Sequence, residues 1–144
     1  MVILNETLTF KARVFARIKH AGQVDDCGKD YYEVHLQQVF YILLQITGDQ
    51  DILSAGLLHD TLEDTQTTYE ELVEHFGKRV ADLVNEVTHE GKKDKKGFYF
   101  PRLKSRDAIL LKFADRLSNL SRMESWTPDR QVHYLKKSKF WKSE

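Results

Sequence analysis

The chain has 144 residues, 41% hydrophobic and 31% charged, with 22 basic and 22 acidic side chains. That length suits one domain with a core of its own. A formal net charge of zero argues against a protein that coats nucleic acid or an anionic membrane. The single cysteine, Cys27, excludes an intramolecular disulfide and a cysteine-built zinc site. Asn5 and Glu6 break the apolar start VILNETLTF, which is too short and polar for a signal peptide or membrane span, so the expected compartment is the cytoplasm.

Helical periodicity runs almost throughout, and Pro101 and Pro128 are the only prolines. The spacing predicts a first helix capped by Asn5, with Leu8, Ala12, Phe15 and Ala16 on one face, ending near Gly22. QVDDCGKD, residues 23–30, reads as a loop. Asp30 and Glu33 have the spacing of a capping box and open a second helix that runs to Gly48. A third, DQDILSAGLLHDTLED, is apolar enough in its middle to be buried. Thr68 and Glu71 form another capping box, for a helix that stops at Gly77, and a fifth helix runs from about 78 to 89. GKKDKKGFYFPRLK is the longest irregular segment, a candidate lid or substrate loop. A long helix follows from about Ser105 to Glu124, and Thr127-Pro128 starts the last. The expectation is all-α: a single compact domain of six to seven helices spanning 1–144.

The chemistry concentrates in LLHDTLEDT, residues 57–65. An adjacent His59-Asp60 pair in an apolar helix is costly unless paired, hydrogen-bonded or bound to a metal. On a continuous helix, Glu63 and Asp64 lie four residues beyond His59 and Asp60 and face the same side. In ILLKFADRLSNL, Asp115 likewise ends an apolar run, and His35 interrupts YYEVHLQQVFYILL. His35, His59, Asp60 and Asp115 together would offer two imidazoles and two carboxylates, a set suited to Mn²⁺, with Fe²⁺, Co²⁺ or Zn²⁺ as options. A metal-free buried hydrogen-bonded pair is the plainer reading of His59 and Asp60 taken alone.

The pattern H…HD…D is the signature of the HD-domain phosphohydrolases. KHAGQ (19–23), LLHDTLEDT, HFGKRVADLVNEVT and LKFADRLSNL together resemble the hydrolase domain of bifunctional alarmone synthetase/hydrolases and the small alarmone hydrolases, over residues 8 to 124. The resemblance implies a manganese enzyme that removes the 3′-pyrophosphate of ppGpp and pppGpp, a small-nucleotide partner, and His35, His59, Asp60 and Asp115 as metal ligands. It implies that Glu63 and Asp64 position or deprotonate the attacking water, that Asn119 contacts the nucleotide, and that Lys19 and His20 border the site. Arg102 and Lys104 are candidate phosphate contacts from the long loop. Arg116 is either a phosphate clamp or a structural ion pair, the second being the commoner fate. Asp25 and Asp26 stand where relatives carry basic residues that help hold the nucleotide, Leu36 where they carry proline, and Ser121-Arg122 follow ADRLSN. Two alternatives follow: a phosphatase or phosphodiesterase for another nucleotide, or a silent nucleotide-binding HD module. The sequence leaves a homo-oligomer open.

Overall fold

The computed structural model describes residues 7–88 and 103–137. Helix α1 spans Leu8–Lys19, a π-helical turn Tyr32–Leu36 runs directly into α2, Gln37–Leu44, and α3 spans Gln50–Leu58. A single turn, α4 (Thr61–Asp64), is followed by α5 (Tyr69–Phe76), α6 (Lys78–Val87), α7 (Arg106–Leu120) and α8 (Pro128–Lys137). With the π turn joined to α2 and α4 taken as the tail of α3, the described residues form seven helices and no strand. None is long and apolar enough to cross a membrane.

Start and stop signals act locally. Thr7, not Asn5, caps α1, its hydroxyl accepting from the Phe10 N–H at 3.1 Å; Asn5 lies outside the described residues. Asp30 accepts from the Glu33 N–H and Thr68 from Glu71, so two expected caps form, and Asp49 caps α3 by accepting from Asp51 and Ile52. Gly77 ends α5 at φ 91°, a conformation that costs a side-chain-bearing residue steric strain. Loop 23–30 is closed by one isolated bridge, Val24 to Asp30. Residues 89–102, most of the anticipated lid and Arg102 with it, lie outside the described residues. The helix ends differ where side chains compete for carbonyls: Thr88 Oγ1 donates to Val84 O as α6 ends, and Ser121 Oγ donates to Ser118 O as α7 ends short of Glu124.

Helix α3 is the centre of the molecule. Ile52 to His59 are all buried, because α1, α2, α6 and α7 pack around it. Gly56 sets the α2–α3 spacing: a Cβ there would stand 2.6 Å from Leu43 Cδ1. Gly56→Ala therefore forces Leu43 or the helix axis to shift, and is expected to destabilise the fold by about 1–3 kcal/mol. The check is a denaturant melt. A gain in stability, as an unstrained helical Gly→Ala change gives, would contradict this packing. At the rim, Arg79 binds Asp49, Asp51 and Asp107, each at 2.9 Å by its closest approach, tying α6 to the start of α3 and of α7.

Candidate metal centre

Four side chains converge from the π turn that leads into α2, the C-terminal end of α3 and the middle of α7. His35 comes from the π turn; the extra residue of that turn shifts the helical register, and such bulges recur at functional sites. The expected continuous third helix is interrupted at His59-Asp60. Asp60 has φ −98° and ψ −1°, and the Thr61 hydroxyl donates to the Leu58 carbonyl at 2.7 Å. Asp115 projects from the middle of α7.

His35 Nε2 lies 3.2 Å from His59 Nε2 and 3.0 Å from Asp115 Oδ1; His59 Nε2 lies 3.1 Å from the same oxygen. Asp60 Oδ2 stands 3.2 Å from His59 Nε2 and 3.5 Å from His35 Nε2. Donors held about 2.1 Å from one ion stand about 3.0 Å apart at right angles and about 3.4 Å apart at the tetrahedral angle. His35 Nε2, His59 Nε2 and Asp115 Oδ1 thus have the mutual spacing of ligands around a single divalent cation, and Asp60 Oδ2 stands beside the two imidazole nitrogens. His35, His59 and Asp115, all buried, bring donor atoms within 4.8 Å of one another, as a metal-holding group must; Asp60 is outside that trio. Two imidazoles and two carboxylates make a borderline-hard donor set that fits a first-row divalent ion.

The surrounding residues hold these donors in place. His59 Nδ1 donates to the Gly56 carbonyl at 2.6 Å, which turns Nε2 inward. On His35, Nδ1 lies 3.0 Å from Ser118 Oγ, whose own proton goes to Gln38 Oε1 at 2.7 Å. Ser118 therefore accepts from Nδ1–H and leaves Nε2 as the inward-facing nitrogen. Arg122 Nη2, also 3.0 Å from Nδ1, has only protons to offer and is a packing contact when Nδ1 is protonated. Tyr31 donates its hydroxyl to Asp60 Oδ2 at 2.6 Å, and Lys112 Nζ lies 3.5 Å from Asp115 Oδ2.

Burial alone would depress both imidazoles. The hydrogen bonds and charges of Asp115 and Asp60 outweigh it and raise both, His59 to about 9. Burial would raise both carboxyls, yet His59 and His35 hold Asp60 and Asp115 below the usual carboxylate range, and Lys112 adds to this at Asp115. Without a metal, then, imidazolium protons balance the two carboxylates. A cation must displace them, so metal affinity is expected to rise by about tenfold per pH unit for each proton released, up to about pH 9. The linkage has a definite sign. A histidine raised from 6.5 to about 9 stabilises the metal-free fold fully below 6.5 and loses that contribution as pH climbs through 9. The melting temperature of chelated protein should fall across that window while that of metal-loaded protein does not. Parallel slopes for the two forms would argue against proton displacement.

The anticipated helpers are placed unevenly. Asp64 is exposed on α4, and desolvation together with the Asp60 charge raises its carboxyl. Glu63 is exposed beside it on the same turn. Asn119 lies one turn beyond Asp115, with Nδ2 donating to Tyr134 Oη at 2.7 Å and Oδ1 accepting from Arg122 at 2.9 Å. Lys19 is drawn away from the centre: its ammonium pairs with Glu71 at 3.3 Å and lies over the Phe15 ring. Lys104 is exposed, and its main-chain N–H is anchored to Glu86 Oε2 at 2.8 Å. The residue of KHAGQ that turns inward is His20, 1% exposed, with Nδ1 on Gln23 Oε1 at 2.8 Å and Gln23 in turn donating to the Asp64 carbonyl. Tyr31, Gln38, Lys112, Ser118 and Tyr134 were not anticipated as parts of the site. Lys112 and Ser118 sit three residues either side of Asp115 and Tyr31 four before His35, so helical spacing was the available signal.

A family model described as HD domain matches residues 12–96. The chain belongs to the HD domain family. It is 38% identical over 136 residues to a guanosine-3′,5′-bis(diphosphate) 3′-pyrophosphohydrolase of Aquifex aeolicus, covering 89% of this chain and 19% of that protein. It is 35% identical to the bifunctional (p)ppGpp synthase/hydrolase SpoT of Escherichia coli, covering 84% and 19%. HD domain membership implies a divalent metal at a site such as the one formed here. The chain spans about a fifth of the length of these bacterial relatives. With the guanosine-3′,5′-bis(diphosphate) 3′-pyrophosphohydrolase MESH1 of Xenopus tropicalis it shares 39% identity over 85% of this chain and 73% of that protein. Among solved structures, a metazoan ortholog of SpoT described as hydrolysing ppGpp superposes with a TM-score of 0.78. That pair is 27% identical and covers 96% of this HD domain chain and 85% of the other.

Proposed function

We propose that this HD domain hydrolyses the 3′-pyrophosphate ester of guanosine tetra- and pentaphosphate, releasing pyrophosphate and leaving GDP or GTP, with manganese as the preferred ion. The observation that carries the reading is the convergence of His35 Nε2, His59 Nε2 and Asp115 Oδ1 within 3.0–3.2 Å of one another, with Asp60 Oδ2 at 3.2 and 3.5 Å from the two imidazoles, in a chain whose relatives bear that activity in their names. His35, His59, Asp60 and Asp115 would hold the ion. When bound, the ion supplies Lewis acidity, lowering the pKa of water and offsetting phosphate charge.

The chain's own residues do the rest. The Tyr31 hydroxyl keeps Asp60 Oδ2 in place, and Gly56 O and Ser118 Oγ keep the two imidazoles aimed. Asp64, raised by its surroundings toward the working range of a general base, accepts the proton of the attacking water, and Glu63 orients that water. The water oxygen ends on the departing pyrophosphate, and the ribose O3′ takes up a proton as its ester bond to phosphorus breaks. Asn119 and Arg116 contact the nucleotide.

One observation favours a second substrate. Asp25 approaches Arg122 at 3.7 Å and Asp26 pairs with Arg130 at 2.5 Å, so loop 23–30 spends its charges on the α7–α8 end instead of offering cations to a nucleotide. The test is a substrate panel with manganese: ppGpp, GTP, NADPH and 3′-AMP, with products separated by ion-exchange chromatography. Pyrophosphate and GDP from ppGpp alone support the alarmone reading. Turnover of a different member moves the substrate and keeps the centre; turnover of none points to a silent nucleotide-binding module.

A further inference from the structure

Arg116 follows Asp115 on α7 and is 6% exposed. Its Nη1 donates to Tyr134 Oη at 3.3 Å, and the Tyr134 ring lies 6.0 Å from the guanidinium carbon. Nε and Nη2 are buried and have no partner. No carboxylate among the described residues pairs with Arg116, so the expected structural ion pair does not form. Neighbouring Asp115 is already engaged, Oδ1 by His35 and His59, Oδ2 by Lys112.

A guanidinium keeps its charge at any ordinary pH, so burial cannot neutralise it as it would a lysine. A buried charge with two unmet donors is among the costliest groups a fold can carry, and native proteins retain one where a ligand completes it. Nε and Nη2 share one edge of the plane, and that edge matches two oxygens of a phosphate. Tyr134 takes the remaining nitrogen, Nη1, and accepts from Asn119 as well, and Arg116 directly follows Asp115 of the metal centre along α7. Of the α8 side chains described, only Gln131 and Tyr134 are not exposed, so admitting an anion by shifting α8 breaks little core.

We infer that the Nε/Nη2 edge of Arg116 is a phosphate clamp, which receives one phosphoryl group of the substrate beside the metal centre. This rests on the phosphohydrolase reading and deepens it, by naming the group that binds the anion directly. The clamp predicts two effects of opposite sign. Arg116→Met removes an uncompensated buried charge and should raise the melting temperature of the ligand-free protein, while abolishing the stabilisation that inorganic pyrophosphate gives the wild type. Arg116→Lys keeps the charge and loses the fork, and should weaken pyrophosphate binding by about tenfold or more.

The experiment is calorimetric titration and thermal melting of wild type, Arg116→Met and Arg116→Lys with inorganic pyrophosphate at saturating manganese. Both predicted effects together support the clamp. It is overturned if the wild type fails to bind pyrophosphate, or if Arg116→Lys binds it as tightly as wild type does. A fall in stability of Arg116→Met with pyrophosphate binding intact also overturns it. No turnover enters the measurement, so a failure of the clamp is distinguishable from a failure of the hydrolysis reading.

Discussion

Asp60→Ala is expected to abolish metal binding and turnover together. Asp60 Oδ2 is the proposed fourth donor beside His35, His59 and Asp115, standing 3.2 and 3.5 Å from the two imidazole nitrogens. Its removal leaves three donors and strips His59 of the largest charge holding its proton in place. With one anionic ligand gone, the remaining charge favours the ion less, and affinity should fall by more than the 10–100-fold typical of losing a neighbour that merely orients a ligand. Asp60→Asn separates charge from shape: it preserves an acceptor for the Tyr31 hydroxyl and should lose metal nearly as completely. Metal analysis after gel filtration, beside the initial rate, reads both quantities. A variant that still carries stoichiometric metal would remove Asp60 from the ligand set.

The second large effect separates holding the ion from moving the proton. Asp64→Asn and Glu63→Gln should each retain metal and lower kcat by about 10²–10⁴-fold, the usual worth of a positioned general base. Of the two, Asp64 is expected to show the larger loss. Its carboxyl is raised by desolvation and the Asp60 charge, the direction that favours uptake of a proton from water. The acid limb of the kcat profile should follow Asp64 and vanish in Asp64→Asn. Loss of metal in either variant would show that ligand and base have been assigned the wrong way round, and an unchanged rate in both would place the base elsewhere.

The sequence made the fold legible because its helices carry their own punctuation. Asp30, Thr68, Ser105 and Pro128 each open the element expected of them, and Gly77 closes one. What it did not make legible was the break after Leu58. The period of DQDILSAGLLHDTLED is helical to its end, and only the hydroxyl of Thr61 on the Leu58 carbonyl reveals that the helix stops to turn His59 and Asp60 inward. The π turn at His35 is hidden for a similar reason, since one extra residue per turn leaves no mark in an apolar stretch.

The four convergent donors were readable as polar residues interrupting apolar runs. The residues that hold them were not, because Tyr31, Ser118 and Lys112 look like ordinary helix-surface residues until the fold brings them within reach. Lys19 misled in the opposite way: a basic residue next to an inward-facing His20 is aimed a quarter-turn round the helix, where Glu71 takes it. Arg116 beside Asp115 reads as a structural ion pair, and nothing in the sequence shows that Asp115 is already taken by His35, His59 and Lys112.

The most direct measurement is pyrophosphate release from ppGpp by the wild-type chain, before and after chelation and again after manganese is restored. The expected result is release that chelation abolishes and manganese restores, with GDP as the other product. Release that continues undiminished through chelation would contradict a metal centre at His35, His59, Asp60 and Asp115.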